Sequence, residues 1–153
     1  MQKGQQPRLR GNVLVVRLMD PDVWDRRALV DGISVAALGA VPFGVIGRLI
    51  VGDDGSTGVL ALFTLLVLVA LVLGAGVAAW RQLVGRPLSH GIATALVTFG
   101  AVQTVGIVRR LVGSDPVRWG RIASSGLLSL IAGSLGGLLG SVMISRGVRP
   151  KRP

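Results

Sequence analysis

The chain has 153 residues, half of them hydrophobic and only 16% charged, with a formal net charge of +10. Soluble domains usually carry about a quarter charged residues, so this composition excludes an ordinary soluble domain and indicates one compact membrane domain. Cysteine, tyrosine and glutamate are absent and there is one histidine, which excludes disulfides and thiolate metal sites and leaves few groups for acid–base catalysis.

The first part of the chain, residues 1–19, is polar and basic, and we expect a flexible N-terminal segment there. Asp20 and Pro21 then have the form of a helix start, with the aspartate as N-cap and the proline in the first turn. A four-span transmembrane domain is predicted over residues 20–145, followed by a basic tail over residues 146–153.

Residues 58–80 form the clearest predicted membrane span, because they contain neither a charged residue nor a proline. As a helix this segment rises about 34 Å, close to the hydrocarbon thickness of about 30 Å. Three further segments are long and apolar enough to cross with it: residues 28–51, 88–108 and 122–144. Short connections make successive helices antiparallel neighbours. The sequence therefore predicts an all-α fold, an integral membrane four-helix bundle with short loops.

The distribution of lysine and arginine predicts the orientation, because cytoplasmic segments carry an excess of both. If both termini are cytoplasmic, twelve of the 17 basic residues lie inside and five lie outside. The loop after the third span opposes this assignment, because four arginines there would lie outside. If the third span did not cross the membrane, these arginines would lie inside. The basic tail argues against that alternative, so we expect four spans in a bacterial inner membrane with both termini cytoplasmic. The tryptophans lie at the span boundaries, as Trp24, Trp80 and Trp119.

Two similarities within the chain suggest duplicated helical hairpins. Asp31-Gly32-Ile33 resembles His90-Gly91-Ile92, and Gly52-Asp53-Asp54 resembles Gly113-Ser114-Asp115. A duplication would make the first two spans one hairpin and the last two its copy in the same orientation. The two similarities differ in their spacing, so common ancestry and coincidence both remain open.

Small residues recur at every fourth position along the first and fourth predicted spans. They are Gly32, Ala36, Ala40 and Gly44 in the first, and Ser125, Ser129, Gly133, Gly137 and Ser141 in the fourth. Helix contacts in lipid depend on close backbone approach, which small residues permit, so we expect both spans to be packing helices. Their partner is either within the chain or a second copy. The second span is mostly leucine and valine and is expected to face lipid on most sides.

Polar side chains inside the spans are candidate functional residues, because they are costly in lipid. They are Asp31, Arg48, His90 and Gln103. Asp31 and His90 are expected at similar depth, where they either pair with each other or bond separately to water, head groups or helix ends. Arg48 is expected to extend toward water at the outer side. Gln103 gives the third span a polar face near the middle of the membrane.

This inventory favours a non-enzymatic membrane protein that acts through helix–helix association, as a homo-oligomer or as an accessory subunit. No cofactor or metal is expected. The expected partners are anionic lipid head groups and a second membrane protein or copy, and nucleic acid is not expected because the arginines flank the spans. Two alternatives remain: a small transporter or channel with a polar path along spans 1 and 3, and a holin-like pore former.

Overall fold

The computed structural model describes residues 24–51, 57–114 and 116–148. Within these ranges the chain is helical without a strand, and it contains four long helices. They are α1 (Arg26–Val51), α2 (Thr57–Arg81), α3 (Pro87–Val112) and α4 (Trp119–Ser145). Each is long and apolar enough to cross a membrane. The predicted all-α four-helix bundle is therefore confirmed.

The helix limits agree with the predicted spans to within one residue, except at the starts of α1 and α4, which lie two and three residues earlier, and at the end of α3. Helix α1 begins at Arg26, and Asp25 caps it by accepting a hydrogen bond from the Ala28 N–H at 3.2 Å. The predicted start at Asp20 and Pro21 lies outside the described residues, as do residues 1–19 and the last five of the basic tail. Helix α3 continues past the predicted limit at residue 108 to Val112, since an arginine pair does not stop a helix when its side chains reach toward water.

Helix α2 is the central helix of the bundle. It packs against each of the other three helices, whereas α1 packs mainly on α2 and α4 packs on α2 and α3. The prediction that span 2 faces lipid on most sides is therefore wrong for its C-terminal half. A run of glycine and alanine there provides a small-residue surface on several sides of the helix, with Ala70, Gly74, Ala75, Ala78 and Ala79 all buried. In its N-terminal half, by contrast, Leu60, Leu62 and Leu65 are exposed.

Burial is concentrated toward one end of the bundle. Among the described residues, all buried side chains except Gly47 lie within residues 28–40, 70–82, 90–98 and 129–140. These segments contain the start of α1 and α3 and the end of α2 and α4, and we call this side the packed end. The opposite side, where α3 connects to α4, is called the open end. Close packing thus holds the four helices together mainly through half of their length.

The two helical hairpins make the same close contact. In the first hairpin, a Cβ built on Gly74 would lie 2.5 Å from the Ala36 Cβ and from the Gly32 carbonyl oxygen. In the second hairpin, a Cβ on Gly133 would lie 2.8 Å from the Ala95 Cβ and 3.0 Å from the Gly91 carbonyl oxygen. Each contact position has a small-residue counterpart 59 positions later. The pairs are 32 and 91, 36 and 95, 74 and 133, and 78 and 137, with glycine in place of alanine in the last pair.

A constant spacing across four contact positions supports duplication over coincidence. It also agrees with the first sequence similarity, because Asp31 and His90 are separated by the same interval. The second similarity falls partly on residues 52–56 and 115, outside the described part of the chain. The two hairpins are not symmetrically placed, since α2 packs on α3 whereas α1 has almost no contact with α4.

Candidate functional site

His90 is fully buried at the packed end, and both of its ring nitrogens are bonded. Nε2 lies 3.0 Å from the backbone N–H of Asp25, so it must accept a hydrogen bond. Nδ1 lies 2.9 Å from the carbonyl oxygen of Arg86, so it must donate one. These two partners specify a neutral imidazole protonated at Nδ1. The Trp24 ring lies against it, with ring centroids 5.2 Å apart.

Asp25 links the start of α1 to the connection between α2 and α3 through two hydrogen bonds. One carboxylate oxygen caps α1, and the other accepts a hydrogen bond from the Leu83 N–H at 3.3 Å. Gln82, which is buried, accepts a hydrogen bond from the Arg86 N–H at 3.2 Å and so shapes the same connection. These groups, with His90, tie three helix ends together.

Asp31 pairs with Arg81, at the end of α2, and not with His90. The distance between Arg81 Nη1 and Asp31 Oδ2 is 2.6 Å. Both side chains are partly exposed, at 38% for Arg81 and 42% for Asp31. The predicted pairing of Asp31 with His90 is therefore wrong. His90 bonds separately to backbone groups at helix ends, whereas Asp31 bonds to a guanidinium that neither alternative included.

A buried polar stripe continues from His90 along α3. Thr94 and Thr98 follow at intervals of one helical turn, and their exposure is 0% and 3%. The Thr98 hydroxyl donates to the Thr94 carbonyl oxygen at 2.8 Å. The Thr94 hydroxyl, however, is buried with no hydrogen-bond partner. This is the one buried side-chain oxygen or nitrogen of the described residues that is left unsatisfied.

Gln103 lies on the same helix but in the open half, and it is partly exposed. None of the hydrogen bonds among the described residues involves its amide group. Its neighbours Gly100 and Thr104 are exposed on adjacent turns, and no atom lies within 4 Å of a Cβ built on Gly100. The structure thus separates Gln103 from His90 and Asp31, which lie at the packed end.

The small residues of α1 contact α2 for part of their length. Gly32, Ala36 and Ala40 are buried, but Gly44 has open space beside it. The contact moves instead to Gly39, which lies against Ala70, and to Gly47, which lies against Phe63. A regular spacing of four drifts around the helix, because four residues exceed one turn of 3.6.

Helix α4 contacts two helices through two rows of glycine. Gly133 and Gly137 lie against α3, and Gly136 and Gly140 lie against α2. The other small residues predicted for this stripe are less enclosed, since Ser129 is buried but Ser125 and Ser141 are only partly buried. A helix of the same chain packs against every glycine of these two rows.

The open end carries most of the exposed basic groups that flank α3 and α4. Arg109, Arg118 and Arg121 are exposed, and none of them has a carboxylate partner among the described residues. Arg110 donates to the Pro116 carbonyl oxygen at 3.1 Å. The side chain of Arg48 is outside the described part of the structure, so its predicted extension toward water remains a prediction.

Several residues of these sites were not singled out from the sequence. Asp25 and Gln82 belong to loops, and nothing in their spacing indicates which backbone group each one meets. The glycine and alanine run of α2 and the pair Gly91 and Ala95 of α3 carried a signal, because they repeat the small-residue spacing of α1 and α4.

Comparison with known proteins adds no assignment to this geometry. No protein-family model matches the chain, and no curated protein or solved structure matches it.

Proposed function

We propose that this chain is a non-enzymatic protein of the bacterial inner membrane, with both termini cytoplasmic, that acts by associating with a second copy of itself. The association surface is the open half of α3, and we call the residues Gly100, Gln103 and Thr104 the α3 patch. The observation that carries the proposal is the amide of Gln103, which has no hydrogen-bond partner among the described residues.

The position of Gln103 makes an unpartnered amide costly. It lies about 5 Å past the middle of α3, well inside a hydrocarbon layer of about 30 Å. A polar group there is a functional candidate by default, because lipid offers it no hydrogen bond. Glutamine side chains in membranes commonly satisfy this need by bonding across to another helix.

The surroundings of Gln103 suit the close approach of a second helix. Gly100 and Thr104 form a small-residue pair on the exposed side of α3, and none of the other three helices covers their surface. The Thr104 hydroxyl is already bonded to the Gly100 carbonyl oxygen at 2.8 Å, so it adds no unmet polar group. Close backbone approach is therefore possible without further desolvation.

A second copy of the chain is the partner that this surface fits. A primary amide has both donors and an acceptor, so two Gln103 side chains related by a twofold axis satisfy each other. The glycine rows of α4 do not support association, because helices of the same chain already occupy them. The bonded state of His90 and Asp25 favours a structural role for the packed end over a catalytic one.

Disulfide cross-linking in native membranes tests the proposed dimer, because the chain contains no cysteine. We expect Thr104→Cys to form covalent dimers on mild oxidation, and Leu138→Cys, on the exposed side of α4 at 55% exposure, to remain monomeric. Adding Gln103→Leu to Thr104→Cys should weaken the dimer by about 1 kcal/mol, or roughly fivefold. Equal cross-linking at positions 104 and 138, or no effect of Gln103→Leu, would refute the proposal.

A transport path between α1 and α3 is the second candidate, and the unsatisfied Thr94 hydroxyl favours it. Helices α1 and α3 are in contact, and the stripe from His90 to Thr98 lies on the buried side of α3. Flux through proteoliposomes that falls with Thr94→Val and with Asp31→Asn, but not with Thr64→Val, an exposed control on α2, would support transport. Absence of flux across panels of ions and small solutes would remove this candidate.

A further inference from the structure

An apolar groove lies between α2 and α4, away from the α3 patch. Its volume is about 300 Å³, and all of its lining residues are aliphatic. On α2 it is bounded by Leu65, Val69 and Leu73, and on α4 by Leu128, Ile131 and Leu135. The groove is open along one side, so an occupant can enter from the surrounding lipid.

The depth of the groove corresponds to the middle of the bilayer. Leu65 and Leu73 lie symmetrically about the centre of α2, and Leu128 and Leu135 lie on either side of the centre of α4. The distance from Leu128 to Leu135 along the helix is about 10 Å. An occupant of this part of the groove must therefore be apolar over its whole length.

A basic surface at the open end lies on the same side of α4 as the groove. Residues separated by seven positions lie on the same side of a helix, so Arg121 lies above Leu128 and Leu135 on α4. The separation of Arg121 from Leu128 is also about 10 Å, which places the arginine at the membrane edge. Arg118 directly precedes α4 and is exposed as well.

We propose that the groove holds one acyl chain of an anionic phospholipid, with its phosphate bound by Arg118 and Arg121. Charge complementarity selects this occupant. The apolar groove accepts any hydrocarbon chain. The two guanidinium groups have no carboxylate partner among the described residues, so they favour a negatively charged head group.

A lipid site at Arg118 and Arg121 also reduces the conflict in the basic-residue distribution. Four arginines at the open end, in or beside the connection between α3 and α4, oppose an outside location if arginine serves only orientation. Arg118 and Arg121 would have a second role as phosphate ligands, so two of the four arginines would no longer argue against four spans. The inference does not depend on dimer formation, since the α3 patch and the groove are on different helices.

Native mass spectrometry of the purified full chain in mild detergent tests the lipid site. The chain is incubated with phosphatidylglycerol or with phosphatidylcholine, and the fraction carrying one bound lipid is measured. We expect tight single occupancy by phosphatidylglycerol, with affinity at least about tenfold above that for phosphatidylcholine. Arg118→Gln with Arg121→Gln should remove this difference, whereas the control Arg26→Gln with Arg27→Gln, exposed at the packed end, should leave it.

Groove-filling variants separate the acyl chain from the head group. Leu128→Trp places a large side chain in the groove and is expected to abolish the bound lipid, whereas Leu138→Trp, outside the groove, is expected to retain it. Circular dichroism confirms that both variants are folded. Millimolar inorganic phosphate should not displace the lipid, because the anion alone lacks the hydrocarbon chain.

Three results would overturn the proposal. They are equal binding of the two lipids, retention of lipid by Leu128→Trp, and displacement by inorganic phosphate. Oxidative dimers of Leu128→Cys in native membranes would also overturn it, because a second copy would then occupy the groove.

Discussion

The contact between α1 and α2 predicts a large difference between two glycine-to-alanine substitutions. In Gly74→Ala the new Cβ would lie 2.5 Å from the Ala36 Cβ, whereas carbon atoms in contact prefer about 3.5 to 4.0 Å. The helices must therefore separate by about 1 Å. A gap of that size forfeits a quarter to a half of each dispersion contact that it opens.

The expected cost follows from these distances. Overpacking of a close contact typically lowers the free energy of unfolding by about 1–3 kcal/mol, and the higher helix propensity of alanine offsets about 1 kcal/mol of this loss. We therefore expect Gly74→Ala to lower the free energy of unfolding by up to about 2 kcal/mol. The control is Gly44→Ala, which has no atom within 4 Å of its Cβ and should be neutral or stabilising.

Unfolding in mixed micelles, followed by far-UV circular dichroism, provides the measurement. If the hairpins are structural copies, Gly133→Ala should be destabilising as well, since its Cβ would lie 2.8 Å from the Ala95 Cβ. Equal free energies of unfolding for Gly74→Ala and Gly44→Ala would refute this prediction, because the helices would then tolerate a side chain where the structure leaves no space.

Three further predictions concern single residues. His90→Ala should cost about 2–4 kcal/mol of stability, since it leaves a cavity and unpaired backbone groups, and Trp24 emission should shift to the red in a chain without the other two tryptophans. Asp31→Asn should cost less than about 1 kcal/mol in the same unfolding assay, because the pair with Arg81 is partly exposed, and a larger loss would contradict that view. Ser114→Gly should raise the unfolding temperature slightly, because Ser114 has a φ of 57°, a conformation that glycine adopts without strain, and no change would show that strain is absent.

The number and length of the helices could be predicted from the sequence. An apolar segment of about 20 residues is long enough to cross the hydrocarbon layer as a helix, so segment length predicts the spans. The four predicted spans agree with the helices to within three residues, except where α3 extends through two arginines. The prediction of which helix is central failed. The high average hydrophobicity of α2 led to the prediction of a lipid-facing helix. Its packing against all three other helices depends on the small residues from Gly74 to Ala79, which average hydrophobicity does not detect.

Partners of the polar residues could be predicted less well. Similar depth suggested a bond between Asp31 and His90, yet depth does not specify rotation about the helix axis. The structure brings Asp31 to Arg81 at the end of the neighbouring helix, and His90 to a loop backbone that has no sequence signature. Gln103 was a candidate from its residue type alone, but its exposure and lack of a partner required the arrangement of all four helices.

Labelling of single cysteines from either side of the membrane tests the central claim, that the chain crosses the membrane four times, most directly. Cysteines are introduced singly at Ser56, Ser114 and Ser145, and an impermeant reagent is added to intact cells. The account predicts labelling at positions 56 and 114, with position 145 labelled only after the cells are opened. Labelling of positions 114 and 145 from the same side would contradict the account, because α4 would then not cross the membrane.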